Sequence, residues 1–239
     1  MPVDILIGIG AAASPYVKNA TQTIPIVFVY VPDPIGSKLV ESLARPGGNA
    51  TGITTVAPEL SGRRLQLLKE IMPDVAGVAV LVNPHTQISR LYSDEAHAAA
   101  KQLGLDVRIF EAGTLDALPE VFRAIASAGV RAVMINQEGL FFVGRSQIAR
   151  LALEHRLALC VWSREILEAG ALMSYGPDLV AIARRAAVFV DRILKGRKPA
   201  DLPVEQPLNF QFLINGKTAK SLGLTLPVSL LARADEVIE

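Results

Sequence analysis

The sequence holds few of the residues on which disulfide scaffolds, polyanion binding and membrane insertion depend. Its 239 residues include one cysteine, Cys160, in the apolar run LALCVW, which excludes a disulfide framework and predicts a buried hydrophobe. The 24 basic and 23 acidic residues nearly cancel, which excludes the positive field used to bind nucleic acid or an anionic membrane surface. No apolar run approaches the roughly 20 residues of a transmembrane helix.

Motifs of catalysis and metal binding are missing as well. The histidines His85, His97 and His155 are scattered, and none has a second ligand at a recognised metal-binding spacing. Neither a G-x-S-x-G elbow nor a Walker loop occurs. We therefore predict no catalytic residue, no metal and no cofactor, and the sequence favours a binding protein over an enzyme.

Short β-branched runs alternate with amphipathic helical segments along the chain. In segments such as ELSGRRLQLLKEIM the apolar residues recur at i, i+3, i+4 and i+7, and the pair Arg63 and Arg64 is interpreted as part of a solvated face. Continuous apolar strands joined by helices indicate parallel sheets covered on both faces, so the predicted fold class is α/β of the doubly wound kind. Nine strands are predicted, at residues 3–9, 24–31, 50–56, 75–82, 105–110, 130–135, 157–162, 171–175 and 208–214.

The first predicted strand leads into GIGAAASPY, at the sheet edge where ligands of parallel sheets bind. The stretch matches G-x-G-x-x-A ahead of a helix start, with Ser14 as N-cap and Pro15 at the first helical position. One hypothesis is a dinucleotide site. The other is a small anion held by backbone N–H groups, which the short room left for the following helix favours.

The second predicted strand ends at Pro32-Asp33-Pro34. As a helix cap, Asp33 would begin a helix at Ile35, with Pro34 in its first turn. As a ligand group, its carboxylate would accept a hydrogen bond from a ligand ammonium or amide. The two interpretations are compatible, and both stay open.

Other strand ends carry polar and aromatic residues. Asn83 follows the fourth predicted strand, NQEGLFF the sixth, and VWSRE and MSYGPD the next two. One interpretation is a set of ordinary β-to-α turns, with Trp162 as a packing residue. The other is a pocket at one sheet edge for a small polar or aromatic solute.

Four stretches carry a resemblance to a known family: TIPIVFVYVPDPIGSKLVESLARPGGNATGITT, RRLQLLKEIMPDVAGVAVLVNP, EILEAGALMSYGPD and VDRILKGRKPADLPVEQPLNFQFLINGKTAKSLGLTLPVSLLARADEVIE. Together, over nearly the whole chain, they resemble the ABC transporter substrate-binding proteins, the family that includes tryptophan- and tyrosine-binding lipoproteins. The resemblance implies the periplasmic binding protein type I fold, in which two doubly wound lobes close by hinge motion on a solute. It places residues 1–56 and 170–206 in the first lobe, 57–169 in the second, and 207–239 in a segment bridging the lobes.

The resemblance also implies roles for site residues. Gly10, Ala11 and Ala12 would offer backbone N–H groups to a ligand carboxylate, and Asp33, followed by Pro34, would face the ligand amine. The cleft residues expected from the facing loops are Asn83, Gln137, Glu138, Trp162 and Tyr175.

The expected function is the solute-binding component of an ABC importer, taking an amino acid or a similar carboxylate or aromatic solute between its lobes. A membrane permease would be its partner, and its location periplasmic or membrane-anchored outside the cytoplasm, although the chain shows no export signal. Family members usually begin with such a signal and two further βα units. The first lobe is therefore expected to be N-terminally shortened, with an open sheet edge that invites self-association.

Two other functions are weighed. A ligand-sensing domain of a regulator would normally carry a DNA-binding module, and no basic helix-turn-helix stretch is present. A nucleotide-dependent enzyme would rest on the G-x-G-x-x-A turn alone.

Overall fold

The computed structural model of the protein describes residues 3–55, 60–207 and 209–239. The chain divides into two compact units, each assembled from two separate stretches of sequence. Unit 1 comprises Met1–Val56 and Pro177–Asn209, and unit 2 comprises Ala57–Gly176 and Phe210–Glu239. Within the described ranges, no helix combines the length and the apolar character needed to cross a membrane.

Strands and helices alternate along most of the chain. The strands are β1 (Leu6–Ile9), β2 (Ile26–Val31), β3 (Ala50–Thr54), β4 (Gly77–Val82), β5 (Asp106–Glu111), β6 (Ala132–Ile135), β7 (Ala158–Val161), β8 (Met173–Pro177), β9 (Phe210–Asn215) and β10 (Glu236–Ile238). The helices are α1 (Gly10–Ala20), α2 (Ser61–Ile71), α3 (Ile88–Leu103), α4 (Leu118–Ser127), α5 (Gly139–Val143), α6 (Arg145–Glu154), α7 (Arg164–Glu168), α8 (Leu179–Leu194), α9 (Gly216–Ser221) and α10 (Val228–Leu231). All nine predicted strands are present with shifted ends, and only the three-residue β10 lacks a sequence prediction.

Unit 1 is built on a three-stranded sheet in the order β1-β2-β3, with both pairings parallel. Its central strand, IVFVYV, is a continuous apolar run. Val27 and Val29 pack with Phe189 of α8, whereas Ile26 and Phe28 belong to a separate cluster. Because successive side chains of a strand point to opposite faces, β2 is buried on both sides, which explains its unbroken hydrophobic sequence.

Unit 2 is built on a seven-stranded sheet in the order β10-β9-β8-β7-β6-β4-β5. The pairings of β4 with β5 and β6, and of β7 with β6 and β8, are parallel. Val80 packs in one cluster with Leu68 of α2, and Leu81 packs in another with Phe122 of α4. Helices therefore cover both faces of this sheet, as the predicted doubly wound fold requires.

The division into units differs from the domain boundaries that the resemblance implies. Residues 170–176, expected in the first lobe, include most of β8, which pairs with β7 through Cys160↔Met173 and Val161↔Ser174. Residues from Phe210 onward, expected as a bridging segment, form β9 and β10 in the same sheet. Strand pairing between residues distant in sequence decides these memberships, and a local apolar pattern does not encode it. The stretch VAPELSG, which follows the strand at Ala50 and is typical of a connection between lobes, begins with residues 56–59, which lie outside the described residues.

Candidate functional site

Buried polar atoms without a hydrogen-bond partner concentrate at the carboxyl ends of strands in unit 2. After β6 they are both amide atoms of Asn136, Oε1 of Gln137 and Oε2 of Glu138; after β7 they are Oγ of Ser163 and Oε2 of Glu165. Each is unpaired among the residues that the structure describes. An unsatisfied buried polar atom costs about 1–3 kcal/mol, so a group of them at one sheet edge indicates a place where a solute supplies the partners.

The register of the sheet brings these strand ends side by side. β4 and β6 pair up to Leu81↔Ile135, and the Asn136 N–H donates to the Leu81 carbonyl over 3.3 Å. β6 and β7 pair up to Met134↔Cys160. Asn83, Asn136 and Ser163 follow β4, β6 and β7, which are neighbours in the sheet. The three residues therefore lie at the same edge, as expected for residues that follow parallel strands.

Glu138 and Asn83 each use one side-chain oxygen to close the local backbone. Glu138 Oε1 accepts from the Gly139 N–H at 3.0 Å and caps α5, which leaves Oε2 buried and unpaired among the described atoms. Burial raises the pKa of Glu138, and the hydrogen bond from the Gly139 N–H opposes this rise. Asn83 Oδ1 accepts from the His85 N–H at 3.0 Å, an Asx turn that directs the chain away from β4.

The two aromatic candidates have different surroundings. Trp162 is 3% exposed and packs in the core cluster that contains Val161 and Ile166, so its indole lies within the unit's core. Tyr175 is half-buried, and its ring stacks on Phe210 with the centroids 6.1 Å apart. Tyr175 is therefore the aromatic side chain of the two with surface left to offer a solute.

Arg64 departs from its sequence interpretation. The prediction of a solvated face is wrong, because Arg64 on α2 is 1% exposed and packs inside unit 2. Its Nε donates to the Tyr175 carbonyl at 2.8 Å, while Nη2 finds no partner within the described part of the chain. Burial lowers the pKa of its guanidinium. The signal was in the sequence, since Arg64 is three residues after Ser61 and four before Leu68 on the helix stripe that carries the buried residues.

In unit 1, the helix after β1 begins earlier than predicted. α1 starts at Gly10, whose φ is 80°, and not at a Ser14 cap. Ser14 lies inside the helix and donates from Oγ to the Gly10 carbonyl at 2.8 Å, and Pro15 is in the second turn. A glycine with positive φ lets the chain turn directly from strand to helix. The N–H groups of Gly10, Ala11 and Ala12 therefore lie in the first turn, where an α-helix has no internal acceptors for them.

Asp33 is followed directly by turns and not by a helix, which corrects the prediction of a helix at Ile35. Residues 34–38 form consecutive turns, and Lys38 has a φ of 57°, which interrupts helical geometry. Asp33 Oδ1 accepts from the Gly36 N–H at 2.7 Å and so closes a turn. Since β1 and β2 are parallel neighbours, Asp33 and Pro34 follow the strand beside the one that leads into Gly10.

The structure thus gathers the predicted residues into two groups. Unit 2 holds Asn83, Gln137 and Glu138 directly after strands, Tyr175 in β8, and Trp162 in the core. Unit 1 holds Gly10–Ala12, Asp33 and Pro34 at the ends of β1 and β2. Among the described residues, no group of three histidine, cysteine or carboxylate side chains could hold a metal ion. Four of the side chains of unit 2 with a buried unpaired atom were not predicted as site residues from the sequence: Arg64, Asn136, Ser163 and Glu165.

Comparison with known proteins gives a family match over almost the entire chain. A family model described as "ABC transporter substrate binding protein" matches residues 2–238. A curated tyrosine-binding protein from Clostridioides difficile strain R20291 is 26% identical over 223 residues, covering 92% of this chain and 63% of that protein. The chain therefore spans less than two thirds of this relative's length.

Two solved structures resemble the chain closely. A conserved domain protein from Vibrio cholerae O1 biovar eltor str. N16961 superposes with a TM-score of 0.93 at 29% identity, covering 99% of this chain and 79% of that one. An "ABC domain in complex with L-Trp" from Streptococcus pneumonia superposes with a TM-score of 0.92 at 27% identity, covering 99% and 81%.

Proposed function

Because this chain belongs to the ABC transporter substrate binding protein family, we propose that it is the solute-binding component of an importer and that its solute is an amino acid. Family membership confirms the recognition made from the sequence, and with it a binding protein rather than an enzyme. The structural neighbours confirm the periplasmic binding protein type I fold. The solute, the permease and the location are part of the proposal.

The observation that carries the proposal is the set of unpaired buried polar atoms at the strand ends of unit 2. Amide, hydroxyl and carboxylate groups together complement a small solute that has both donors and acceptors. Two relatives, a tyrosine-binding protein and a protein solved in complex with L-Trp, support an aromatic amino acid as the solute class.

We assign the solute contacts as follows. Oε2 of Glu138 accepts from the solute ammonium, and the amides of Asn83 and Gln137 contribute further polar contacts. Tyr175 offers its ring face to an aromatic or apolar side chain, whereas Trp162 supports the site from the core. From unit 1, the first-turn N–H groups of Gly10, Ala11 and Ala12 and the carboxylate of Asp33, next to Pro34, contact the solute.

A thermal-shift screen against the twenty standard amino acids tests this function, because a solute that binds only the native state raises its melting temperature. We expect the largest shift with L-tyrosine or L-tryptophan. By calorimetry, Glu138→Gln should weaken that solute about 10- to 100-fold, since it removes a charged hydrogen-bond acceptor. Glu120→Gln, at an exposed glutamate on α4, is the control and should bind as wild type. A folded protein whose melting temperature moves with none of the twenty would contradict the proposal.

The remaining parts of the proposal concern partners and place. We propose an extracytoplasmic location and a membrane permease that receives the loaded protein; stimulation of the ATPase activity of the reconstituted transporter by the loaded chain would test the partnership. We also propose that the chain associates with a second copy through β1. Ile7 on this strand is 54% exposed, and β1 pairs on one side only among the described strands.

A further inference from the structure

Arg64 places a positive charge in the interior of unit 2, and no carboxylate of the described residues forms an ion pair with it. The titratable groups that interact with its guanidinium are Tyr92, Cys160 and Tyr175. Burial raises the pKa of the Cys160 thiol to about 12, so this neighbour is neutral at physiological pH. A buried cation with no counter-charge is destabilising, because desolvation is not repaid by an ion pair.

The surroundings of Arg64 suit an anion. Ser61 lies one helical turn earlier on the same face of α2, is fully buried, and its Oγ has no partner among the described atoms. The eleven-residue α2 begins at Ser61 with no side-chain cap and no acidic residue in its first turn. The positive end of the helix dipole, a hydroxyl donor and a guanidinium therefore point to the same small region.

This region lies at the carboxyl ends of the strands. Arg64 Nε is held by the carbonyl of Tyr175, near the end of β8. The next residue, Gly176, is packed against the Trp162 backbone at the end of β7, directly before Ser163. Because side chains alternate along a strand, Asn136 lies on the same face of the sheet as Ala132 and Met134. These two residues share a core cluster with Cys160 and with residues of α2.

We propose that the Arg64 guanidinium binds the carboxylate of the solute, with Nη2 and the Ser61 hydroxyl as donors. This inference rests on the proposed function, and it narrows the solute class to one that carries a free carboxylate. It also assigns the binding of the solute carboxylate to a side chain of unit 2, whereas the resemblance assigns it to the backbone N–H groups of Gly10–Ala12.

Calorimetry with a matched pair of solutes tests the assignment: L-tryptophan, which has the carboxylate, and L-tryptophanamide, which lacks it. Arg64→Met keeps the aliphatic bulk and should weaken L-tryptophan about 30-fold or more, while the affinity for the amide changes less than about threefold. Ser61→Ala should weaken L-tryptophan alone, by about threefold or more. Arg63→Met is the control and should bind both solutes as wild type, because the Arg63 guanidinium donates a solvent-exposed hydrogen bond to Gln66. Equal losses for the two solutes in Arg64→Met, or no loss at all, would overturn the assignment.

Two further measurements separate this inference from the proposed function. Without solute, Arg64→Met should melt at or above the wild-type temperature, since it removes an uncompensated buried charge; a large drop would assign Arg64 a structural role instead. If wild type binds no amino acid, the proposed function fails, and acetate then decides the role of Arg64. Acetate, compared with chloride at equal ionic strength, should raise the melting temperature of wild type but not of Arg64→Met. An equal effect on both proteins would overturn the carboxylate site.

Discussion

At the scale of the residue, the two carboxylate oxygens of Glu138 have different surroundings. Oε1 fixes the start of α5 through the Gly139 N–H, while Oε2 is buried without a partner among the described residues. The desolvation of an unpaired oxygen disfavours the charged form, which is why the pKa of this carboxyl rises. A solute ammonium beside Oε2 would stabilise the charged form of this carboxyl.

The raised pKa of Glu138 predicts how stability depends on pH. Above the ordinary value of 4.5, the native state holds the proton more tightly than the unfolded chain does, so this carboxyl destabilises the fold as the pH rises through its native pKa. Glu138→Gln keeps an acceptor for the Gly139 N–H but cannot ionise. The stability of the variant relative to wild type should therefore increase from pH 4 toward neutrality, measured by urea unfolding in the absence of solute.

Glu120→Gln serves as the reference for the pH series, because it makes the same chemical change at an exposed glutamate. A difference between Glu138→Gln and wild type that stays constant with pH, or that shrinks as the pH rises, would contradict the assignment of a raised pKa to Glu138.

At the scale of the element, the close approach of β7 and β8 depends on a missing side chain. A Cβ placed on Gly176 would lie 2.0 Å from the Trp162 carbonyl oxygen, which belongs to the backbone and has little freedom to move. This contact aligns the end of β8, with Tyr175 and the carbonyl that holds Arg64, against the end of β7. Packing between the two strand ends therefore positions several site groups at once.

Gly176→Ala should consequently destabilise the protein by about 1–3 kcal/mol, as overpacking does, because the strand ends must separate to admit the methyl group. It should also weaken solute binding, since Tyr175 and its carbonyl, which accepts the hydrogen bond from Arg64, move with β8. Chemical denaturation and calorimetry measure the two effects. Gly139→Ala is the matched control: a Cβ there meets no atom within 4 Å of the described structure, so stability should change by less than about 0.5 kcal/mol. Wild-type stability in Gly176→Ala would show that the strand ends can part freely.

At the scale of the whole molecule, the proposed self-association concerns the free side of β1. Ile7 and Ile9 on this strand are 54% and 61% exposed, and Tyr16 on the following helix is 78% exposed. An edge strand with apolar side chains and unpaired backbone groups favours pairing with another chain.

Sedimentation velocity over a range of concentrations tests this association. Wild type should form dimers as its concentration rises, and Ile7→Lys should remain monomeric because a charge at the edge opposes pairing. Val228→Lys, at another exposed apolar residue in unit 2, is the control and should associate as wild type does. A wild-type protein that stays monomeric throughout would refute the association.

The sequence by itself determined the fold class and the positions of most strands. Continuous apolar runs such as IVFVYV, separated by amphipathic segments, are a local consequence of burial on both faces of a parallel sheet. The rule that ligands lie at the carboxyl ends of such strands predicts solute contacts at Asn83, Gln137 and Glu138, and these contacts stay a prediction. Boundaries set by local backbone geometry were harder, as the early start of α1 at Gly10 and the turns after Asp33 demonstrate.

Only the tertiary structure decided which polar groups are buried and which strands share a sheet. Arg63 and Arg64 are chemically identical neighbours, yet the second is enclosed because it lies on the buried face of α2. Trp162 follows a strand end in sequence but turns into the core, and β8 joins β7 through partners outside its local sequence. Strand pairing and the packing around Trp162 join residues distant in the chain, so they arise when the elements pack and leave no local pattern from which to read them.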